Sequence, residues 1–331
     1  MLLPVLGTQI IIYIYTEFKE GPWGGGNQFL KALKKQFVQQ GNYAEDPASA
    51  DVVLFNSHHN LKNVVRLKRK YPEKIFVHRV DGPMAYRGRS GKKLDRKIFR
   101  INSLVADGTV FQSDWSRQES HKKGMKTNKF EVVVNNAPDP EIFFPPKQKT
   151  PIGGKIKLIS TSWSNNINKG FDTYHFLDEN LDFEKYEMTF VGKIDKPFKN
   201  ITVIAPLPSS ELAEQLRQHD IFIFASKIEA CSNSLLEGIH CGLPSVVRNT
   251  SSNPEVLGKN GVLFDDDNII DKIEQISKNF DHYHKLPVKT IENIGKEYLL
   301  FIKKIKKSIS LNYIVPKKIM LTEKIKLSFS I

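Results

Sequence analysis

A chain of 331 residues, 40% hydrophobic and 26% charged, has an ordinary globular composition and the length of two domains of roughly 150 residues each. Two cysteines, Cys231 and Cys241, exclude a disulfide framework, and their ten-residue spacing is not that of a metal site, so a reducing, cytoplasmic setting is expected. The net charge of +13 is regional: residues 62–100 hold 14 Lys/Arg against three acids, and residues 285–331 hold 11 Lys against three acids. Such faces suit an acidic partner: an anionic membrane surface, a phosphate-bearing acceptor or a nucleic acid. A solvated lysine-rich face is the plainer alternative.

In chain order, "MLLPVLGTQIIIYIYTE" lacks a basic leader and a small-residue cleavage site. It reaches Glu17 with fewer apolar residues than the ~20 a bilayer needs, so it reads as a buried first strand. A glycine-rich turn, "GPWGGGN", leads into the amphipathic helix "QFLKALKKQFVQQG". The runs "ADVVLFN", "KIFVHRV", "DGTVFQS" and "KFEVVVNN" follow, each short and apolar as buried parallel strands are. The Pro/Gly-rich "PDPEIFFPPKQKTPIGGK" marks a linker. Alternation then restarts with "KIKLIST", "YEMTFVG", "ITVIAP", "DIFIFAS", "PSVVRN" and "GVLFD". Two α/β domains are therefore predicted, 1–150 and 151–285, with a basic tail, 286–331, packing back on the body as an amphipathic helix with Leu299, Ile302 and Ile305 on one stripe. Open parallel sheets bind ligands at the carboxyl ends of their strands, so the site is expected in the cleft between the halves.

The stretch "EACSNSLLEG" concentrates the chemistry. Glu229 and Glu237 are eight apart, and eight helical residues advance about 80° beyond two turns, so both face one cleft only if Glu229 lies in a loop and Glu237 in the following helix. Ser234 and Glu237 also fit a capping box, which would make Glu237 purely structural. In the first half, His78, Arg79 and Asp81 fall at a strand's carboxyl end, with a structural histidine as the alternative. His58 and His59 lack a third ligand at a useful spacing. Asp265 to Asp267 precede a helix and read as cap and dipole charges, so no metal is expected.

The run from Asp220 to Asp265, with its Glu-x7-Glu, "CGLP", "PE" and "GVLF", resembles the donor-site region of the retaining GT-B glycosyltransferases of family 4. "NKG" at Asn168–Gly170, "FVGK", "APLPSSELAEQLRQHD", "VVVNNAPDPEIFFP" and "PWGGGN" match further elements in order across residues 10–280. The resemblance implies two Rossmann-like domains whose parallel sheets face a central cleft, and sugar transfer from a nucleoside diphosphate sugar to a sugar, lipid-linked or glycan acceptor. No other cofactor, no metal and no nucleic acid are expected. It implies Glu237 on the ribose hydroxyls and Glu229 on the sugar. Ser232, Asn233 and Ser234 would meet the diphosphate at a helix start, with Lys169 neutralising it. Gly25 and Gly26 would approach the donor phosphate or acceptor, and the region of His78 and Asp81 would line the acceptor side of the cleft, with Asp81 also bordering the donor and His78 near the reacting sugar. The family often has an arginine about five residues before the lysine; here Ser164 stands there, and Arg248 is a candidate substitute. A nucleotide-sugar epimerase on the same fold and a basic nucleic-acid-binding protein are the rival readings.

Overall fold

Every apolar run picked out above forms a strand in the computed structural model, which describes residues 9–21, 24–147, 154–283 and 288–319. The start of the first apolar run, part of the "GPWGGGN" turn, part of the linker and most of the last fifteen residues lie outside the described residues.

The first domain runs β1 (Ile12–Tyr15), α1 (Gly25–Gln39), β2 (Val52–Asn56), α2 (Leu61–Lys70) and β3 (Ile75–Val80). It continues through a 3-10 turn at Met84–Arg87 to α3 (Arg89–Val105), β4 (Gly108–Phe111), α4 (Asp114–Lys122) and β5 (Glu131–Val133). The five strands are parallel and adjacent in chain order. Tyr43, after α1, bridges Ile12 on the free side of β1 before the chain returns to β2 on the other side. The chain thus reverses direction at β1, and such a switch opens a crevice at the strand's carboxyl end.

The second domain runs β6 (Ile156–Ser162), α5 (Phe171–Asn180), β7 (Tyr186–Gly192), β8 (Thr202–Ile204), α6 (Ser209–Arg217) and β9 (Ile221–Phe224). Then come α7 (Asn233–His240), β10 (Ser245–Arg248), α8 (Asn253–Leu257), β11 (Gly261–Phe264), α9 (Ile269–Lys278) and α10 (Phe280–Tyr283). Its strand order is β11-β10-β9-β6-β7-β8, all parallel, so the switch falls between β6 and β9. The loops after those two strands carry Lys169 and Glu229.

The last helix, α11 (Ile291–Ser310), packs on the first domain. Ile294, Tyr298, Ile302 and Ile305 are buried with Ile12, Leu33 and Phe37 in one apolar cluster. Gly108 permits the approach, because a Cβ there would lie 2.5 Å from Ile305 Cδ1. Beyond α11 the Lys317 amide donates to Asp107 Oδ1 at 2.7 Å. The other oxygen of that carboxylate accepts from the Phe76 amide at 2.8 Å and from Lys68 Nζ at 3.2 Å. Both charged side chains are sealed, 0% and 2% exposed. Asp107→Ala strands a buried ammonium and unties the C-terminal segment, and is expected to destabilise the fold by about 3–5 kcal/mol. Urea melts of the purified variant check this, and an unchanged midpoint contradicts it.

Candidate active site between the sheets

The carboxyl ends of the two sheets enclose a cavity of about 540 Å³. The first domain lines it with Gly24–Gly26 after β1 and with Asp81, Met84 and Tyr86 after β3. The second contributes Trp163 and Lys169 after β6, the segment Ile228–Ser234 after β9, and Glu237. Every site residue predicted from the sequence borders this space except His78 and the candidate Arg248.

Lys169 Nζ donates to Glu229 Oε1 at 2.6 Å, with the two side chains 27% and 16% exposed. Their loops are stitched together, since the Lys227 amide donates to the Asn168 carbonyl at 2.7 Å. The Glu229 backbone is held from the other side: its amide donates to Ser251 Oγ at 3.1 Å, and its carbonyl accepts from Ser252 Oγ at 2.8 Å. The cation and carboxylate are therefore fixed by two turns of backbone flanking the switch point.

Glu229 lies in the loop and Glu237 in α7, the arrangement the spacing demanded. The capping-box reading of Ser234 and Glu237 fails. Ser232 is the N-cap, its Oγ accepting from the Leu235 amide at 3.4 Å, and Ser234 Oγ instead meets Ser232 Oγ at 3.1 Å. Glu237 is left with no hydrogen-bond or ion-pair partner for its carboxylate among the described residues, while lining the cavity at 8% exposure. Burial pushes its carboxyl up to about 8. A buried carboxyl without a protein partner can take up hydrogen-bond donors that a ligand carries into the cavity.

Gly25 and Gly26 belong to the first turn of α1 rather than to a loop, with Gly24 as N-cap. The absent side chain at Gly25 admits the second domain: a Cβ there would come 2.5 Å from Asn233 Cβ. Two helix starts, of α1 and α7, thus meet across the cleft, and their unsatisfied amides and positive dipole ends favour an anion between them.

Two expectations are corrected. His78 is fully buried in the first domain: Nε2 bonds the Ser57 carbonyl at 2.9 Å, Nδ1 meets Asn102 Nδ2 at 3.1 Å, and the ring stacks on Phe55 at 4.2 Å. Burial pushes it down to about 4, so it is a neutral structural residue away from the cleft. Arg248 is no substitute for the arginine missing at Ser164. Its guanidinium is consumed by the Ala225 carbonyl at 3.2 Å, by Thr173 Oγ1 at 2.5 Å and by Asp266, in a depression separate from the cleft.

Around Arg79 and Asp81, both noted at this strand end in the sequence, the structure gathers Asn56, Gln112 and Asn136. Arg79 borders the cavity at 1% exposure, its Nη1 on Asn56 Oδ1 at 2.6 Å and Asp81 Oδ1 at 3.3 Å, its Nη2 on Asn136 Oδ1 at 2.8 Å. Gln112 Nε2 also donates to Asp81 Oδ1. Asp81 is thus a positioned, ionically supported carboxylate on the first-domain wall. Gln112 and Asn136, like Asn56 and Arg79, fall at or just after strand carboxyl ends, the signal that could have found them. The domains are also clasped at one edge, where Glu255 accepts from the Asp114 amide, the first of α4, at 2.8 and 3.0 Å.

Residues 180–279 match the family model described as glycosyl transferases group 1. No curated protein matches the chain. Among solved structures, sucrose-phosphate synthase from Thermosynechococcus elongatus superposes with a TM-score of 0.64, at 12% identity, over 92% of this chain and 98% of that one. HepE of Anabaena in complex with UDP-glucose gives a TM-score of 0.62 at 11% identity, covering 91% and 99%. The S. aureus TarM G117R mutant, in complex with fondaparinux, alpha-GlcNAc-glycerol and UDP, gives 0.56 at 14% identity, covering 79% and 54%. At these identities the structural likeness speaks for the GT-B fold alone. The family match lies within the second domain, and the two-sheet architecture around it is that of the GT-B fold.

Proposed function

We propose that the protein transfers a sugar from a nucleoside diphosphate sugar to an acceptor hydroxyl, with retention of anomeric configuration and without a metal ion. The observation that carries this is the row Lys169–Glu229, the α7 start at Ser232–Ser234, and unpartnered Glu237, all along one wall of the cavity. In this reading Glu237 accepts from the ribose hydroxyls. The α7 start and Lys169 hold the diphosphate and stabilise charge as the bond to the sugar breaks. Glu229 orients the sugar. Asp81, held by Arg79 and Gln112, faces the acceptor side, where a sugar, lipid-linked or glycan hydroxyl enters. The acceptor oxygen attacks on the face the diphosphate leaves, and the departing phosphate takes its proton. The chain supplies position and charge rather than a nucleophile. HepE in complex with UDP-glucose and TarM in complex with UDP support the donor class.

The test is a thermal-shift panel of UDP-, GDP- and ADP-hexoses, followed by product analysis with and without saccharide acceptors. Donor binding raises the melting temperature by mass action. Stabilisation by one nucleotide class together with acceptor-dependent release of its nucleoside diphosphate is expected. An isomerised nucleotide sugar formed without acceptor identifies an epimerase and overturns the proposal.

A further inference from the structure

Helices α2 and α3 lie side by side on one face of the first sheet, sharing an apolar cluster through Leu61, Val64, Ile98 and Phe99. Their outer surface is cationic throughout. On α2 the exposed cations are Lys62, Arg66, Arg69 and Lys70. On α3 they are Arg89, Lys92, Lys93, Arg96 and Lys97. None of them forms an ion pair among the described residues, and neither helix exposes an acid. The one acid on either helix, Asp95, points inward, accepting from the Met84 amide at 2.8 Å and the Ala85 amide at 2.7 Å. Gly91 presses on the same turn, where a side chain would run into the Met84 carbonyl. Met84 and Tyr86 line the cleft. The cationic helix and the acceptor-side rim of the cleft are therefore one rigid piece.

We propose that this α2–α3 face docks the protein on an anionic lipid surface, fixing the acceptor-side rim of the cleft against that surface. Nine cations without counter-charges repel one another and gain when a sheet of negative headgroups neutralises them. The helices extend about 15 and 25 Å, enough to span several headgroups. The other exposed positions within the two helices are Asn63 and Ser90, so no aromatic ring is offered for stacking bases, which disfavours single-stranded nucleic acid. No described helix is long and apolar enough to cross a membrane, so the docking is peripheral.

The experiment is co-sedimentation of the full chain with phosphatidylcholine vesicles, with and without phosphatidylglycerol at roughly a 1:2 ratio, at low and high salt. Wild type is expected to partition onto the mixed vesicles at low salt and to be released by high salt. The Lys92→Gln/Lys93→Gln/Arg96→Gln/Lys97→Gln variant is expected to lose ~10-fold or more of that partitioning. The control, Lys303→Gln/Lys304→Gln/Lys307→Gln on α11, keeps it, and wild-type melting temperatures show that both variants fold. Equal binding to neutral vesicles, unchanged binding by the α3 variant, loss by the α11 variant instead, or preference for single-stranded RNA over vesicles in competition each overturns the proposal.

Discussion

Lys169→Ala is expected to lower turnover by about 10²–10³-fold, the range observed when one preorganised group that stabilises a developing anion is removed. The side chain is the cation that lines the second-domain wall beside the α7 start, and Arg248, the other candidate, is committed elsewhere. A companion variant separates this role from simple packing. Lys169 is paired with Glu229 at 2.6 Å, so an arriving diphosphate competes with a carboxylate for the same ammonium. Glu229→Gln removes the competitor and one negative charge. The bare nucleoside diphosphate is then expected to bind roughly 5–10-fold more tightly, most visibly at low salt. Turnover with the intact donor falls in the same variant, because the sugar loses its orienting carboxylate. Calorimetric titration and a steady-state assay read the two effects. Weaker nucleotide binding in Glu229→Gln, or full turnover in Lys169→Ala, would remove the pair from the donor site.

Glu237→Gln is expected to separate binding from stability with opposite signs. The wild-type carboxyl is held at about 8 by burial, against an ordinary value of 4.5. Between those values the folded chain keeps a proton that the unfolded chain releases, so wild-type stability falls as pH rises through this window. The glutamine has no such penalty. Its melting temperature should match wild type near pH 4.5 and exceed it by a few degrees above pH 8. Donor binding should suffer instead. Hydrogen bonds from ribose hydroxyls to a carboxylate contribute about 1.5–3 kcal/mol, so ribonucleotide affinity drops roughly 10–100-fold. The variant should also lose the preference for ribose over 2′-deoxyribose. Wild-type binding at neutral pH should release a proton, detectable as a buffer-dependent heat. A wild type indifferent to the 2′-hydroxyl would exclude Glu237 from the ribose.

The strands were legible because each is a short, continuous run of β-branched and aromatic residues, the pattern of a strand buried on both faces. The second-domain candidates came from the resemblance rather than from spacing, and Lys169, Glu229 and Ser232 do follow β6 and β9, at the carboxyl ends that chain order fixes. The first-domain wall was harder. His78 and Arg79 are neighbours on β3, and side chains alternate across a strand. Arg79 and Asp81 reach the cleft while His78 turns into the domain to meet Asn102 on α3. Placement at a strand end is readable from sequence, but which of two neighbours faces the cleft depends on the packing of the layer behind. The same limit applies to α11. Its stripe of Ile302 and Ile305 was visible, but nothing local to it says that its partner is Gly108, nearly two hundred positions earlier.

That last contact bears on how the chain is made. A ribosome releases the first domain's strands long before α11 exists, so the apolar face around Ile12, Leu33 and Val110 waits uncovered while the entire second domain is synthesised. The second domain, with its own core, completes first, and the domain begun first finishes last. During that interval the half-built first domain is the species a chaperone would hold, and the arrival of Ile291–Ser310 ends its exposure.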